Sequence, residues 1–202
     1  MVMRRGLLVR LAASAAVIGG AGALAGAGTF SAFSSTTSNA GNSFAAGTVT
    51  IGDNDAGAAM YSLTGAKPGD SVSRCIRVAY GGTLASDVRL YTASTIGALG
   101  PYVNLTITAG SQASPSFPSC SGFTPDAGGA LFSGTLADFA GTHSGWANGL
   151  GDSPEGDTKW ESGDAVVYRF TLTLADDNAA NGGDGSAVTT GSHAFTWEAR
   201  NQ

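Results

Sequence analysis

The sequence predicts an all-β fold, an antiparallel β-sandwich or jelly roll with long loops and at most short helices. Three observations carry that prediction. Apolar and polar residues alternate over short runs, the period of a half-buried strand. Turn residues punctuate those runs, with 31 glycines in 202 residues. Charged residues make up only 12% of the chain, and the strong helix formers Lys and Glu are scarce.

The elements follow in order. Residues Phe44–Ile51 are expected to form the first strand, with Val49 and Ile51 on one face. Asp53-Asn54-Asp55-Ala56-Gly57 is a turn cluster, and Ala59–Leu63 a short second strand. Lys67-Pro68-Gly69-Asp70 is a strong turn, because Pro presets its own φ and Gly accepts a positive one. Ser71–Tyr80 alternates, with Val72, Ile76, Val78 and Tyr80 on one face and Cys75 and Arg77 on the other; Arg74 intrudes near a rim. After Gly81-Gly82 comes Asp87–Thr92, with Val88 and Leu90 inward, expected to neighbour the preceding strand through a short connection.

Tyr102–Thr108 alternates most cleanly, with Val103, Leu105 and Ile107 opposite Asn104, Thr106 and Thr108. Asn104-Leu105-Thr106 fits a glycosylation sequon but reads as a chance product of that alternation. Gly110–Gly129 is a Ser/Pro/Gly loop that carries Cys120. Thr135–Phe139 is expected to make one helical turn, capped by Thr135 or Ser133, with Leu136 and Phe139 buried. His143–Glu161 reads as loop anchored by Trp146, Leu150 and Trp160. Ala165–Leu174 is a long strand, Asp176–Gly185 a polar hairpin loop, and Ser192–Arg200 the closing strand, with Phe195, Trp197 and Ala199 inward. The total is about eight strands, the number of a jelly roll, and no internal repeat is visible.

Upstream of these elements lies a leader. Arg4, Arg5 and Arg10 precede an uncharged Ala/Gly-rich run, Leu11–Gly28, and then small residues, the pattern of a secretory signal over residues 1–31. The run approaches spanning length, but its Ala/Gly content gives it a modest hydrophobic drive, so contact with a membrane is expected only through the uncleaved signal. Arg4-Arg5 touches the twin-arginine pattern, although paired arginines are common in ordinary signals. A flexible segment, residues 32–43, then leads into the β-sandwich domain, residues 44–202.

Three of the 10 Lys and Arg lie in the first ten residues, and all 15 Asp and Glu lie after Ala32. The exported part therefore carries 7 cations against 15 acids, a net charge of −8. That balance suits neither nucleic acid nor an anionic membrane surface. Cys75 and Cys120 are the only cysteines, and an even count in an exported chain predicts one disulfide.

No catalytic constellation is visible, and no cofactor is expected. His143 and His193 stand apart from any His-Glu-x-x-His helix, and exposed polar roles suit them better than metal ligation. No Gly-x-Ser-x-Gly elbow or phosphate loop occurs. Asp152, Glu155 and Asp157, and also Asp176, Asp177 and Asp184, would at most bind Ca²⁺ weakly and read as acidic surface loops.

Gly28-Thr29-Phe30-Ser31-Ala32-Phe33-Ser34, followed by Asn42-Ser43-Phe44-Ala45-Ala46-Gly47-Thr48-Val49, resembles the TasA/camelysin family of secreted bacterial proteins. Lys67-Pro68-Gly69-Asp70 is similar to the family's Pro-Gly-Asp turn, and Phe195-Thr196-Trp197-Glu198-Ala199 to the closing strand of actinobacterial members. The resemblance implies a jelly-roll-type fold, secretion to the cell surface or matrix, and processing by a SipW-type signal peptidase between Ser31 and Ala32. It also implies self-association into fibres. The freed segment Ala32, Phe33, Ser34, Ser35, Thr36, Thr37, Ser38 and Asn39 would then add as a strand to the next subunit. Alone, with Phe33 as its main apolar anchor, that segment is expected to be disordered. The expected role is a biofilm-matrix or surface fibre subunit, not an enzyme. A camelysin-like metallopeptidase and a monomeric surface adhesin are the alternatives.

Overall fold

The computed structural model describes residues 45–177, 180 and 188–201. The expected leader, the cleavage point expected at Ser31/Ala32, the segment Ala32–Asn39 and most of the Asp176–Gly185 loop lie outside the described residues. The described part is an antiparallel β-sandwich of two sheets. The strands are β1 (Ile51–Asp53), β2 (Ser71–Tyr80), β3 (Asp87–Tyr91), β4 (Val103–Gln112), β5 (Phe123–Thr135), β6 (Leu150–Asp152), β7 (Ala165–Leu174) and β8 (Thr196–Arg200). One sheet has the order β1-β2-β7-β4-β5 and the other β6-β3-β8. Among the described residues one short α-helix, α1 (Leu136–Thr142), follows β5.

The two sheets share one core. Ile76, Val78 and Tyr80 of β2, Leu105 and Ile107 of β4, and Val166, Tyr168, Phe170 and Leu172 of β7 face Val88 and Leu90 of β3. Trp197 and Ala199 of β8 pack against the same cluster. Each fully buried Val, Leu, Ile or Phe among them removes enough apolar surface from water to contribute about 1.5–3 kcal/mol. The inward sets in β2, β3, β4 and β7 are the alternating sets that the sequence predicts.

Part of the outer face of the large sheet is covered as well. Cys75 pairs with Arg169 and Arg169 with Thr108 across β2, β7 and β4. Cys75 and Thr108 are nonetheless buried, because the β4–β5 connection folds back over them and is bonded through Cys120 to Cys75. The expected disulfide is therefore present.

Local chemistry explains the ends of the elements. Gly69 takes φ +84° in the turn before β2, where the Lys67 carbonyl accepts from Asp70 N–H at 2.9 Å. A Cβ on Gly82 would lie 2.3 Å from the Tyr80 hydroxyl, so only glycine lets Tyr80 reach Ser86 Oγ at 2.8 Å. Thr135 caps α1 in a full capping box with Asp138, each side chain accepting from the other's N–H at 3.0 Å. Leu136 and Phe139 are fully buried beneath it.

The structure corrects four expectations. Residues 45–50 are not in a strand; β1 starts at Ile51, and Thr48 instead lies against the turn after β2, its carbonyl accepting from Thr83 N–H at 2.9 Å. Ala59–Leu63 is irregular. Strands β2 and β3 are not neighbours but lie in opposite sheets, since the chain crosses the sandwich at residues 81–86. The loop expected over Gly110–Gly129 is shorter, because Phe123–Gly129 already belongs to β5. There the ladder with β4 slips around Ala109, and this irregularity accommodates Pro125 and Gly128-Gly129 in an edge strand.

Candidate functional site

Strand β1 covers only three of the ten residues of β2, pairing with Val78–Tyr80. Strand β8 has β3 on one side and no paired strand on the other among the described residues. Between these two incomplete edges lies a groove of about 660 Å³. One wall is the irregular chain at residues 53–63, and the other is residues 189–197. Its floor is apolar, with Ile76 from β2, Met60, and Phe195 and Trp197 leading into β8.

One polar contact spans the groove. The Tyr61 hydroxyl lies 2.5 Å from His193 Nε2, and His193 Nδ1 lies 3.0 Å from the Gly191 carbonyl. A carbonyl only accepts, so Nδ1 donates to Gly191, and in that tautomer Nε2 is left to accept from Tyr61. Burial raises the Tyr61 pKa, which keeps the hydroxyl a donor. At the rim, Asp53 accepts from Asp55 N–H at 3.1 Å. Burial holds the Asp53 carboxyl above its ordinary range; the Asp55 N–H works against that rise and the Asp55 side chain adds to it.

The remaining candidates are placed apart. His143 stacks on Phe139 with ring centroids 4.8 Å apart and meets Phe132 edge-on. Burial lowers its pKa, so it serves as a packing residue at the end of α1 and not as an exposed polar one. His193 belongs to the groove, as described. The acidic trio Asp152, Glu155 and Asp157 separates. Asp152 turns inward from β6 beside the buried Tyr168, Glu155 accepts from Ala127 N–H at 3.3 Å, and the Asp157 carbonyl accepts from Ser153 Oγ at 2.7 Å. Burial raises the Asp152 pKa, and its Oδ2 makes no hydrogen bond, nor does the buried Trp197 Nε1. Asp184 lies outside the described residues. Among the described residues, no group of three or more His, Cys, Asp and Glu is arranged to hold a metal ion.

Sequence reasoning missed the groove and its Tyr61–His193 clasp. The two residues are 132 positions apart, and Ala59–Leu63 had been assigned to a strand. The one available signal was the weakness of that assignment, a single short apolar run without clear alternation.

No curated protein matches the chain. Residues 8–100 match the profile of the family described as Camelysin metallo-endopeptidase, a stretch that takes in β1, β2, β3 and the first groove wall. With the Pro-Gly-Asp turn seated at the start of β2 and an antiparallel sandwich behind it, this match supports the chain's similarity to the TasA/camelysin family.

Proposed function

We propose that this chain is a secreted structural protein of the cell surface or matrix that self-associates by strand addition. Export by the leader and cleavage between Ser31 and Ala32 by a SipW-type signal peptidase would free Ala32–Asn39. That segment of one copy adds beside β8 of the next and covers the groove. The observation that carries this reading is the groove of about 660 Å³ with an apolar floor beside a strand paired on one side only. An extended segment placed there gains backbone hydrogen bonds from the β8 edge and buries alternate side chains on the floor. Phe33 is the natural anchor.

The test is deletion of Ala32–Asn39 from the purified mature protein. Filaments seen by electron microscopy for the intact protein should vanish. A mature protein that stays monomeric at every concentration, temperature and salt tried would overturn the reading and favour a monomeric adhesin. N-terminal sequencing of secreted protein should begin at Ala32.

The family's description supports a second reading, a secreted metallopeptidase. Metal analysis together with casein cleavage, with and without chelator, separates the two. Stoichiometric zinc and chelator-sensitive cleavage would establish the peptidase, and metal-free inactive protein would remove it.

A further inference from the structure

We propose that the turn held by the Cys75–Cys120 bridge is a latch that keeps the free edge of β2 from pairing with a second copy of this chain. This inference does not depend on strand addition at the groove. It starts from hydrogen-bond parity. In an antiparallel ladder alternate residues direct both backbone groups to the same side. Tyr80 N–H donates to the Asp164 carbonyl beyond the end of β7, and Leu174 N–H to the Asp70 carbonyl. Even-numbered residues of β2 therefore face β7. The odd-numbered ones face outward, as Gly81 N–H, donating to the Thr50 carbonyl, shows. Past the three residues of β1, the outward edge of residues 71–77 meets no strand among the described residues.

An edge of this length is a template for another chain. Here three of its outward groups are taken, and none by a strand. Cys75 N–H donates to the Pro118 carbonyl at 3.0 Å. Arg77 N–H donates to Asn54 Oδ1 at 2.9 Å. The Ser73 carbonyl accepts from the Arg74 guanidinium at 2.9 Å. The Pro118 carbonyl sits in a tight turn closed by Ser119 N–H on the Ser116 carbonyl at 2.7 Å. That turn is fixed to the same strand by the bridge from Cys120 to Cys75. The covalent bond and the blocking hydrogen bond thus act on one residue. Losing the bond frees the turn to leave and uncovers the middle of the edge. The partner that fits an uncovered β2 is another β2, antiparallel about a two-fold axis, because each copy presents the same outward odd-numbered residues and so supplies the N–H and C=O groups that the other lacks.

The experiment compares the mature protein with Cys75→Ser/Cys120→Ser, and with native protein whose bridge is opened by a phosphine after folding. The second route serves if the double variant does not fold. Amide exchange by NMR should accelerate at least tenfold at position 75, and sedimentation velocity should reveal a new concentration-dependent dimer. Adding Ser73→Pro, which removes an outward N–H that β7 does not use, should abolish that dimer. Association through Ala32–Asn39 would be indifferent to Ser73→Pro, so failure here and failure of the proposed function are distinguishable. Unchanged exchange at position 75, faster exchange without a dimer, or a dimer that survives Ser73→Pro would each overturn the proposal.

Discussion

The edges of β2 and β8 are both incomplete, yet they are finished in opposite ways. On β2, a neighbouring carbonyl, an amide side chain and a guanidinium each occupy an outward backbone group, and a disulfide fixes the first of them. Beside β8, a hydrogen bond between Tyr61 and His193 joins the two walls, while the groove between them stays open. The difference teaches that a sandwich can carry two incomplete edges and still limit where another strand docks. Backbone groups already satisfied offer an incoming chain nothing, whereas an apolar floor beside a one-sided strand offers it burial and hydrogen bonds together.

The contrast can be broken from the guarded side first. The bridge spans a separation of 45 residues, and a loop of that length is worth about 4 kcal/mol through the chain entropy it removes from the unfolded state. Urea denaturation of Cys75→Ser/Cys120→Ser should show a loss of that order, the largest effect expected. A loss below about 1 kcal/mol would mean that the turn is held by its own contacts, and the bridge would no longer explain the guarded edge.

On the open side, Tyr61→Phe removes the clasp and leaves His193 Nε2 without its donor. A loss of about 1 kcal/mol is expected, with faster amide exchange confined to residues 189–193. Equal acceleration at Cys75 and Arg77 would show that the two edges are coupled and not independent.

The far seam sharpens the comparison. There Asp152 points inward from β6, and burial holds its carboxyl above the ordinary 3.8. Just above that value the folded chain retains a proton that the unfolded chain has released. Stability therefore falls as pH rises through the window and remains lower beyond the folded pKa. Asp152→Asn should flatten that fall and raise stability at neutral pH by on the order of 1 kcal/mol. Urea midpoints at neutral and acid pH measure both, and an Asn variant that loses stability at neutral pH would contradict this account. Thr135→Ala is the control. Losing the α1 cap should cost about 1 kcal/mol in thermal melts and leave amide exchange at both edges unchanged.

Strands β2, β4 and β7 were legible because each is a long run with one buried face, and the apolar set declares that face directly. The capping box of α1 was legible for a similar reason, since Thr135 and the buried Leu136 and Phe139 are close in sequence. Strand β5 was not. Phe123-Thr124-Pro125-Asp126-Ala127-Gly128-Gly129 has loop composition, and an edge strand with an irregular ladder tolerates residues that a central strand would reject. Residues 45–50 have strand composition, but on that side β2 pairs only with Ile51–Asp53. The adjacency expected for β2 and β3 failed because the intervening residues are as suited to crossing between sheets as to a hairpin.

Alternation, turn chemistry and cysteine count were enough to specify an antiparallel sandwich, its inward faces and its disulfide, because each is a local or countable property of the chain. Which strands became edges, and how those edges were finished, required the folded chain. Those outcomes depend on contacts between residues far apart in sequence: Tyr61 with His193, Arg77 with Asn54, and Cys75 with Pro118. Backbone groups carry no sequence signature of their own, so only tertiary packing decides which of them are left for another chain.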